Sequence, residues 1–348
     1  MVSSESYKAL QQELTAAGCF DAPTYRTWLK FAFATGLALA ITLVVFASSS
    51  WWALLALIPA SLFLGTAIMI GHEGAHGAAC EKEWQNDLLV SVAFGVVSGV
   101  SSTFWKYKHN VLHHGSPNVL GKDRDLLLGP VVVAKVHYDA MPAPLQWFQR
   151  NLQAVMLWPL SAFLSLLMRV RSITVLSQHL VQGKADAAWA VDLLGVVMHY
   201  VLWIALPAYF VGIGWTLAIY MVLFAGVGVM LSYIFMLGHT GLPLAAQWDD
   251  RWSLQVLTAR TVTLGPIGRW FWIGLDAQMA HHLFPKISHL NQPKAAATIR
   301  AWCRKNGLEP VEQDVWTATR DVVKHLLTSW QDEPVDLRRA PPSVAVEG

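Results

Sequence analysis

The sequence predicts an all-α integral membrane protein, with four transmembrane helices arranged as two hairpins beneath a cytoplasmic helical cap. Three observations predict it. Of the 348 residues, 54% are hydrophobic and only 14% are charged, whereas soluble domains carry roughly 25% charged residues. Four apolar runs approach the roughly 20 residues that a bilayer core requires. Lysine and arginine are absent from the two tight connections between those runs and collect elsewhere. The formal net charge of +2 is too small to suggest nucleic-acid binding.

Taken in order, residues 1–27 read as a cytoplasmic amphipathic segment. Tyr7, Leu10, Leu14 and Ala17 fall on one side of a helix over 4–17, with Gly18 as its stop. Glu5, Lys8 and Glu13 interrupt any early apolar core, so no secretory signal is expected and the N-terminus is placed in the cytoplasm. A membrane domain follows over 28–310, with spans at about 28–46, 51–71, 189–211 and 213–237. Only 47–50 joins the first pair and only Gly212 the second, which makes each a hairpin. Leu88–Phe104 is short and rich in Gly, Ser and Val, and reads as a re-entrant or interfacial segment. Leu152–Met168, interrupted by Pro159, carries the same ambiguity.

Within this frame the lysine and arginine distribution sets orientation. The first 30 residues hold three, 105–184 hold nine and the residues after Leu237 hold twelve. The positive-inside rule then puts both ends and the long middle segment in the cytoplasm. Many of the seventeen tryptophans flank the apolar runs, as interfacial anchors do. Pro293 suits the first turn of a helix that runs to Asn306 and closes at Gly307. A C-terminal cytoplasmic helix is expected within 311–330, with Val322, Val323, Leu326 and Leu327 on its apolar side. Residues 331–348, polar and containing Pro334, Pro341 and Pro342, read as a disordered tail. Cys19, Cys80 and Cys303 lie far apart, which argues against a disulfide framework or zinc ribbon and fits a reducing compartment.

Chemistry concentrates in the histidines. His72 and His76 stand one helical turn apart at the end of an uncharged run. His109, His113 and His114 form a second cluster, His239 follows the last span, and Gln278, His281 and His282 form a third. With four spans, all of these lie at one membrane face. Eight histidines exceed the four ligands of one structural zinc site. Two metal ions sharing them, each with an open position, account for the number, although imidazole alone suits zinc, copper, iron or nickel.

The boxes His72-Glu-Gly-Ala-His76, His109-Asn-Val-Leu-His113-His114 and Gln278-Met-Ala-His281-His282 resemble the three histidine boxes of membrane fatty acid desaturases. The run from Gln278 to His289, and Trp105 to His114 with Pro117-Asn118 and Asp123-Arg-Asp125 after it, resemble the front-end or linoleoyl-CoA desaturase branch. The likeness covers roughly residues 30–310. It implies a di-iron site that activates dioxygen and removes two hydrogens from neighbouring methylenes of a fatty acyl chain. It also implies His72, His76, His109, His113, His114, His281 and His282 as ligands, with His239 as the lone histidine before the third box. Gln278 stands where other branches have histidine and is a weaker ligand or a supporting residue. The sequence departs from the branch at Ala280, where glutamate is usual, and at Asp276, where asparagine is usual, which bears on substrate or regiochemistry.

Glu73, Asp123, Asp125 and Asp276 are the acids placed to orient ligating histidines or, alternatively, to act as solvated surface charges. His137, His179 and His325 match no box, and His289 suits packing or capping. His199 and Asp192 lie on one face of the third span, where a mutual hydrogen bond is expected. Lys106, Lys108, Lys122 and Arg124 suit either acyl-carrier phosphates or topology. No Gly-rich dinucleotide motif, iron–sulfur cysteine set or His-Pro-Gly-Gly occurs, so electrons are expected from a separate ferredoxin, or from cytochrome b5 with its reductase. Two other functions compete. A hydroxylase on the same scaffold would carry much the same boxes. A metal transporter would need ligands near the bilayer midplane, where only Asp192 and His199 stand.

Overall fold

The computed structural model describes residues 2–48 and 50–338. Helix α1 (Ser4–Ala16) starts where the Ser3 hydroxyl accepts from Ser6 N and buries Leu10 and Leu14. Helix α2 (Thr24–Ala47) is the first of four helices long and apolar enough to cross a membrane; the second runs from Trp51 to Ala75. This second helix opens with a 3₁₀ turn and becomes α3 (Leu57–Ala75), which carries the chain through His72 without a break. Leu29, Phe33, Leu43 and Val44 on α2 are exposed, as lipid-facing side chains are in a bilayer. Its other face packs against α3.

Two bent helix pairs follow the pattern of interrupted apolarity. Helix α4 (Glu83–Val90) runs into a π-helix over Ser91–Ser98. The chain then turns, and α5 (Ser102–Lys106) continues as a second π-helix over Tyr107–His113. The two arms meet at 109°, which suits the segment read as re-entrant or interfacial. The first arm lies against α3 so closely that a Cβ on Gly71 would come within 2.4 Å of Ala93 Cβ. After the short helices α6 (Lys135–Asp139) and α7 (Ala143–Asn151), α8 (Gln153–Ser161) contains Pro159. It ends two residues later and meets α9 (Leu164–Val181) at 65°. Proline removes an amide donor and crowds the preceding turn, so a bend is expected there.

The third apolar helix, Ala187–Val211, consists of α10 (Ala187–Tyr200), a π turn over Val201–Ala205 and α11 (Leu206–Val211). The fourth is α12 (Ile213–His239), which delivers His239 at its last residue. Trp51, Trp52, Tyr209 and Phe210 are exposed near the connections that join the helices.

The remainder covers the histidine end. It comprises β1 (Ala245–Gln247), α13 (Arg251–Leu257), β2 (Arg260–Thr263), α14 (Pro266–Trp272), α15 (Gln278–Leu283) and α16 (Gln292–Lys305), then β3 (Val311–Asp314), α17 (Val315–Thr328) and β4 (Val335–Asp336). The all-α expectation includes no strands. These four are two to four residues long and form two parallel pairs, β1 with β4 and β2 with β3, too short for any alternating pattern to mark them. Residues 311–314 therefore pair with β2 before the C-terminal helix begins. The expectation of an unordered tail from 331 also needs correction: Val335 N donates to Leu244 O and Leu337 N to Gln247 O, tying that stretch down. The rest of that tail, 339–348, lies outside the described residues. Helix α1 closes against α16 and α15, with Leu10, Leu14, Met279, Leu283, Ile299 and Trp302 in one core separate from that between the long helices.

Candidate metal centre

The three boxes and His239 come together in two groups. His72, His76, His109, His114 and His281 place one ring nitrogen each within 4.8 Å of one another, as do His113, His239 and His282. All eight are buried. Helix α3 supplies the first pair as the four-residue spacing dictates, and α15 supplies His281 and His282.

The second box depends on its π-helix. In an α-helix, positions five apart diverge by roughly 140° around the axis, which would send His114 away from His109. Here the bonding is five residues back, as His114 N donates to His109 O at 2.9 Å, and the wider turn brings the two rings to 4.6 Å. His113, four residues along, stacks on His109 at 5.3 Å and reaches the other group. One element therefore feeds both groups.

The ring nitrogens face one another at hydrogen-bonding distance. His72 Nε2 lies 2.7 Å from His109 Nε2 and 3.3 Å from His76 Nε2, and His114 Nε2 is 3.1 Å from His109 Nε2. In the other group His239 and His282 oppose their Nε2 atoms at 3.1 Å, with Gln278 Nε2 2.8 Å from His239. His113 Nε2, His281 Nε2 and Gln278 Oε1 have no partner among the described residues. Burial, followed by the neighbouring imidazoles, holds His76, His114, His281 and His282 well below the ordinary histidine pKa. Neutral imidazoles with converging lone pairs are the form that binds a metal ion. Such a set, without thiolate, fits iron among the metals that imidazole suits.

Around the second group the outer nitrogens are pinned. His113 Nδ1 donates to Asp123 Oδ2 at 2.9 Å, His239 Nδ1 to Thr258 O at 2.8 Å and His282 Nδ1 to Gln255 Oε1 at 2.8 Å. Each bond fixes a tautomer and leaves Nε2 free to point inward. Asp123 also accepts from Asn118 N and Asp125 N. Its burial alone would raise its pKa, yet His113 and the amide donors leave the carboxyl below its usual value. The other three acids are placed differently. Glu73 accepts from His289 N at 2.5 Å and His289 Nδ1 at 2.7 Å, tying α3 to the loop after the third box. Asp125 pairs with Lys108 and lies 3.6 Å from His113 Nδ1. Asp276 bonds Arg269 Nε at 3.0 Å and none of the box histidines; burial raises its pKa, with Arg269 opposing.

Some of the arrangement was not anticipated from sequence. Gln255 holds His282 and also donates to His114 O at 2.9 Å. Asn118 reaches His239 O at 3.0 Å. The signal for Gln255 was a lone amide inside the apolar run Leu254–Leu257, all four of which are buried. His199 and Asp192 do not bond each other. His199 meets Val96 O and Tyr220 Oη, while Asp192 takes the hydroxyls of 101–103 and the amides of 102 and 103. Seven residues on one helix are about 10 Å apart along the axis, too far for a direct bond, and the polar chain ends of the elbow lie nearby instead.

An apolar cavity of about 380 Å³ opens beside the first group, lined by Ile68, Met69, Trp105, Leu231, Phe235 and Met236 among others. Met69 lies one turn before His72. Trp105 stacks on His109 (5.2 Å, 17° between planes) with Phe94 stacked behind it (4.8 Å, 25°).

A family model described as fatty acid desaturase matches residues 49–313. Similar proteins include an acyl-lipid (9-3)-desaturase of Physcomitrium patens, 27% identical over 272 residues, covering 74% of this chain and 49% of that one. A Delta(5) fatty acid desaturase of Caenorhabditis elegans is 27% identical over 275 residues (75% and 61%). An sn-1 linoleoyl-lipid 6-desaturase of Arthrospira platensis is 26% identical over 264 residues (69% and 67%). The chain thus spans about half the length of the first and under two thirds of the second. With the match running from the second apolar helix through all three histidine boxes, this chain belongs to the fatty acid desaturase family.

Proposed function

We propose that the protein is a membrane-embedded, di-iron, dioxygen-dependent desaturase that introduces a double bond into a fatty acyl chain. The observation that carries this reading is the convergence of eight buried histidines, two of them a turn from residues that line an apolar cavity. The chemistry that iron held by such a set supplies is reductive activation of dioxygen. The balance is one acyl –CH₂–CH₂– unit, dioxygen, two electrons and two protons giving –CH=CH– and two waters. The two electrons come from a separate donor, a ferredoxin or cytochrome b5 with its reductase.

The chain's own residues have three tasks. His72, His76, His109, His114 and His281 would hold one ion, and His113, His239 and His282 the other, with Gln278 beside the smaller set. Asp123, Gln255 and the Thr258 carbonyl keep that smaller set's rings turned inward. Phe94, Trp105 and Phe235 border the site with apolar rings, which exclude bulk water and lay a methylene chain along the cavity. Arg124 and Arg171 line both this cavity and an adjoining groove, as does Lys108, which is buried and paired with Asp125; the two arginines suit a phosphate on the acyl carrier.

The sidedness follows from the same frame. The exposed aromatics at Trp51, Trp52, Tyr209 and Phe210 mark the interface away from the histidines, and the lysines and arginines mark the cytoplasmic one. The helices at 24–47 with 51–75, and 187–211 with 213–239, then form two hairpins with the metal centre in the cytoplasmic cap.

The test is expression in a host of known lipid composition, with iron counted on the purified protein. A new double bond, seen as a loss of 2 Da and located by fragmentation, supports the proposal. A product 16 Da heavier would assign a hydroxylase. No product across acyl-CoA and acyl-lipid substrates, with donor and dioxygen supplied, would refute both.

A further inference from the structure

Between its two arms the bent segment turns at Gly99–Ser101, and four buried polar side chains grip that turn: Ser172 Oγ accepts from Ser101 N at 2.7 Å, and Arg169, Asp192 and His199 hold the groups on either side. Helix α10 brings Asp192 and His199, and α9 brings Arg169. On the first arm, His199 Nδ1 donates to Val96 O at 3.1 Å and Arg169 Nε to Ser98 O at 2.8 Å. On the second, Asp192 accepts from Ser101 Oγ (2.7 Å), Ser102 N (2.8 Å), Ser102 Oγ (2.6 Å), Thr103 N (3.1 Å) and Thr103 Oγ1. The polarity matches what each helix end lacks. Donors meet the unpaired carbonyls that close one helix, and a carboxylate meets the unpaired amides that open the next.

Fit at the turn is close. Gly99 has φ +71°, and a Cβ there would lie 2.5 Å from the His199 ring. His199 Nε2 is fixed by Tyr220 Oη at 2.8 Å. Arg169, only 1% exposed, has no carboxylate partner among the described residues. Its guanidinium sits 4.0 Å from the Phe224 ring centre. A buried arginine and a buried aspartate, each held by backbone groups of one bend, are costly ways to fix a fold that apolar packing alone would fix more cheaply. What they add is a defined angle.

Both the turn and the second arm carry parts of the site. Trp105 lies one turn into the second arm, lines the cavity and stacks on His109. Ser98 and Val100, at the turn, line the same cavity. Rotation of the second arm about the turn would move the cavity wall and the second histidine box together, relative to the boxes on α3 and α15.

We propose that Arg169, Asp192 and His199 clamp the Gly99–Ser101 elbow as positioning residues, setting the register of an acyl chain in the cavity against His109 and His113. The role in register rests on the desaturase reading. The experiment compares His199→Leu, His199→Gln, Asp192→Asn and Arg169→Met with the parent, using full-length protein in detergent or nanodiscs. Three readouts are taken: hydrogen exchange along the chain, iron per chain, and the position of the product double bond. His199→Leu, Asp192→Asn and Arg169→Met should speed exchange over 99–109 about tenfold or more while leaving 64–72 and 278–283 unchanged. They should lower retained iron and spread the double bond over neighbouring positions. His199→Gln, which keeps a donor for Val96 O, should restore most of each. Unchanged exchange in the elbow of folded variants would overturn the clamp, as would uniformly faster exchange everywhere. An altered elbow with a single unchanged double-bond position would overturn the register role. If even the parent makes no unsaturated product, the desaturase reading fails, and exchange and iron still judge the clamp.

Discussion

Replacing Asp123 by asparagine isolates the part played by the hydrogen bonds behind the histidines. Its two oxygens take three donors: His113 Nδ1 and Asn118 N on Oδ2, and Asp125 N on Oδ1, each at 2.9 Å. An amide of the same shape has one oxygen. Turned to keep His113, it sets its NH₂ against Asp125 N–H; turned the other way, it opposes two donors at once. Either choice removes the charge beside His113, and the second leaves its ring free to adopt the wrong tautomer. Losing a partner behind a metal-ligating histidine typically weakens metal binding 10–100-fold, or about 1.4 to 2.7 kcal/mol. On the proposed two-ion centre the loss should fall on the group formed by His113, His239 and His282, so half the iron leaves first. A graded chelator competition, with iron counted per chain, reads this as a biphasic release shifted by one to two decades in its weaker step. Release unchanged from the parent, in a variant of unchanged melting temperature without metal, would refute the reasoning that Asp123 orients His113.

Three further outcomes follow from the same geometry. Because the folded state holds His76, His114, His281 and His282 below their ordinary pKa, the metal-free unfolded chain binds more protons than the folded one below pH 6.5. Its stability should therefore be flat above pH 7 and fall as pH drops from 6.5 toward the folded values, by up to ~1.4 kcal/mol per histidine per pH unit. Thermal melts of the metal-free protein between pH 8 and 5.5 test this, and a flat profile would contradict it. Gly71→Ala forces a Cβ to 2.4 Å from Ala93 and should destabilise the protein by about 1 to 3 kcal/mol, measured as a lower melting temperature; Gly36→Ala, with open space around it, is the control. Leu160→Trp, on the cavity wall, should shorten the space for the chain and shift products toward shorter acyl groups in lipid analysis.

Whatever repeated with a period, or stood as a charge in an apolar field, was legible in the sequence. The four long helices announce themselves by long apolar runs with at most two charges in the stretch that would cross, and His72 and His76 by a spacing that any helix converts into one face. His114 is another matter. On α-helical geometry it should point away from His109, and no residue between Tyr107 and His113 marks a π-helix. The third member of that box was readable only through its resemblance to a motif. Hydrogen bonds between distant parts of the chain were out of reach for a related reason. Gln255 to His282 and Asn118 to His239 join segments that only the fold brings together, and their sequence trace is no more than a polar residue where an apolar one would fit.

The polar pair within the third long helix finds its partners elsewhere. Asp192 and His199 are polar groups that lipid would not tolerate alone, yet they do not satisfy each other. The rule that buried polar groups must be satisfied says nothing about who satisfies them. Within a bilayer a regular helix has no spare backbone donors or acceptors, so the available partners are the ends of broken helices. A broken segment near the membrane therefore predicts polar side chains on its neighbours, and isolated polar side chains within spans predict a break close by. Leu88–Phe104, rich in glycine and serine, and the third span, with its lone aspartate and histidine, were two halves of one signal.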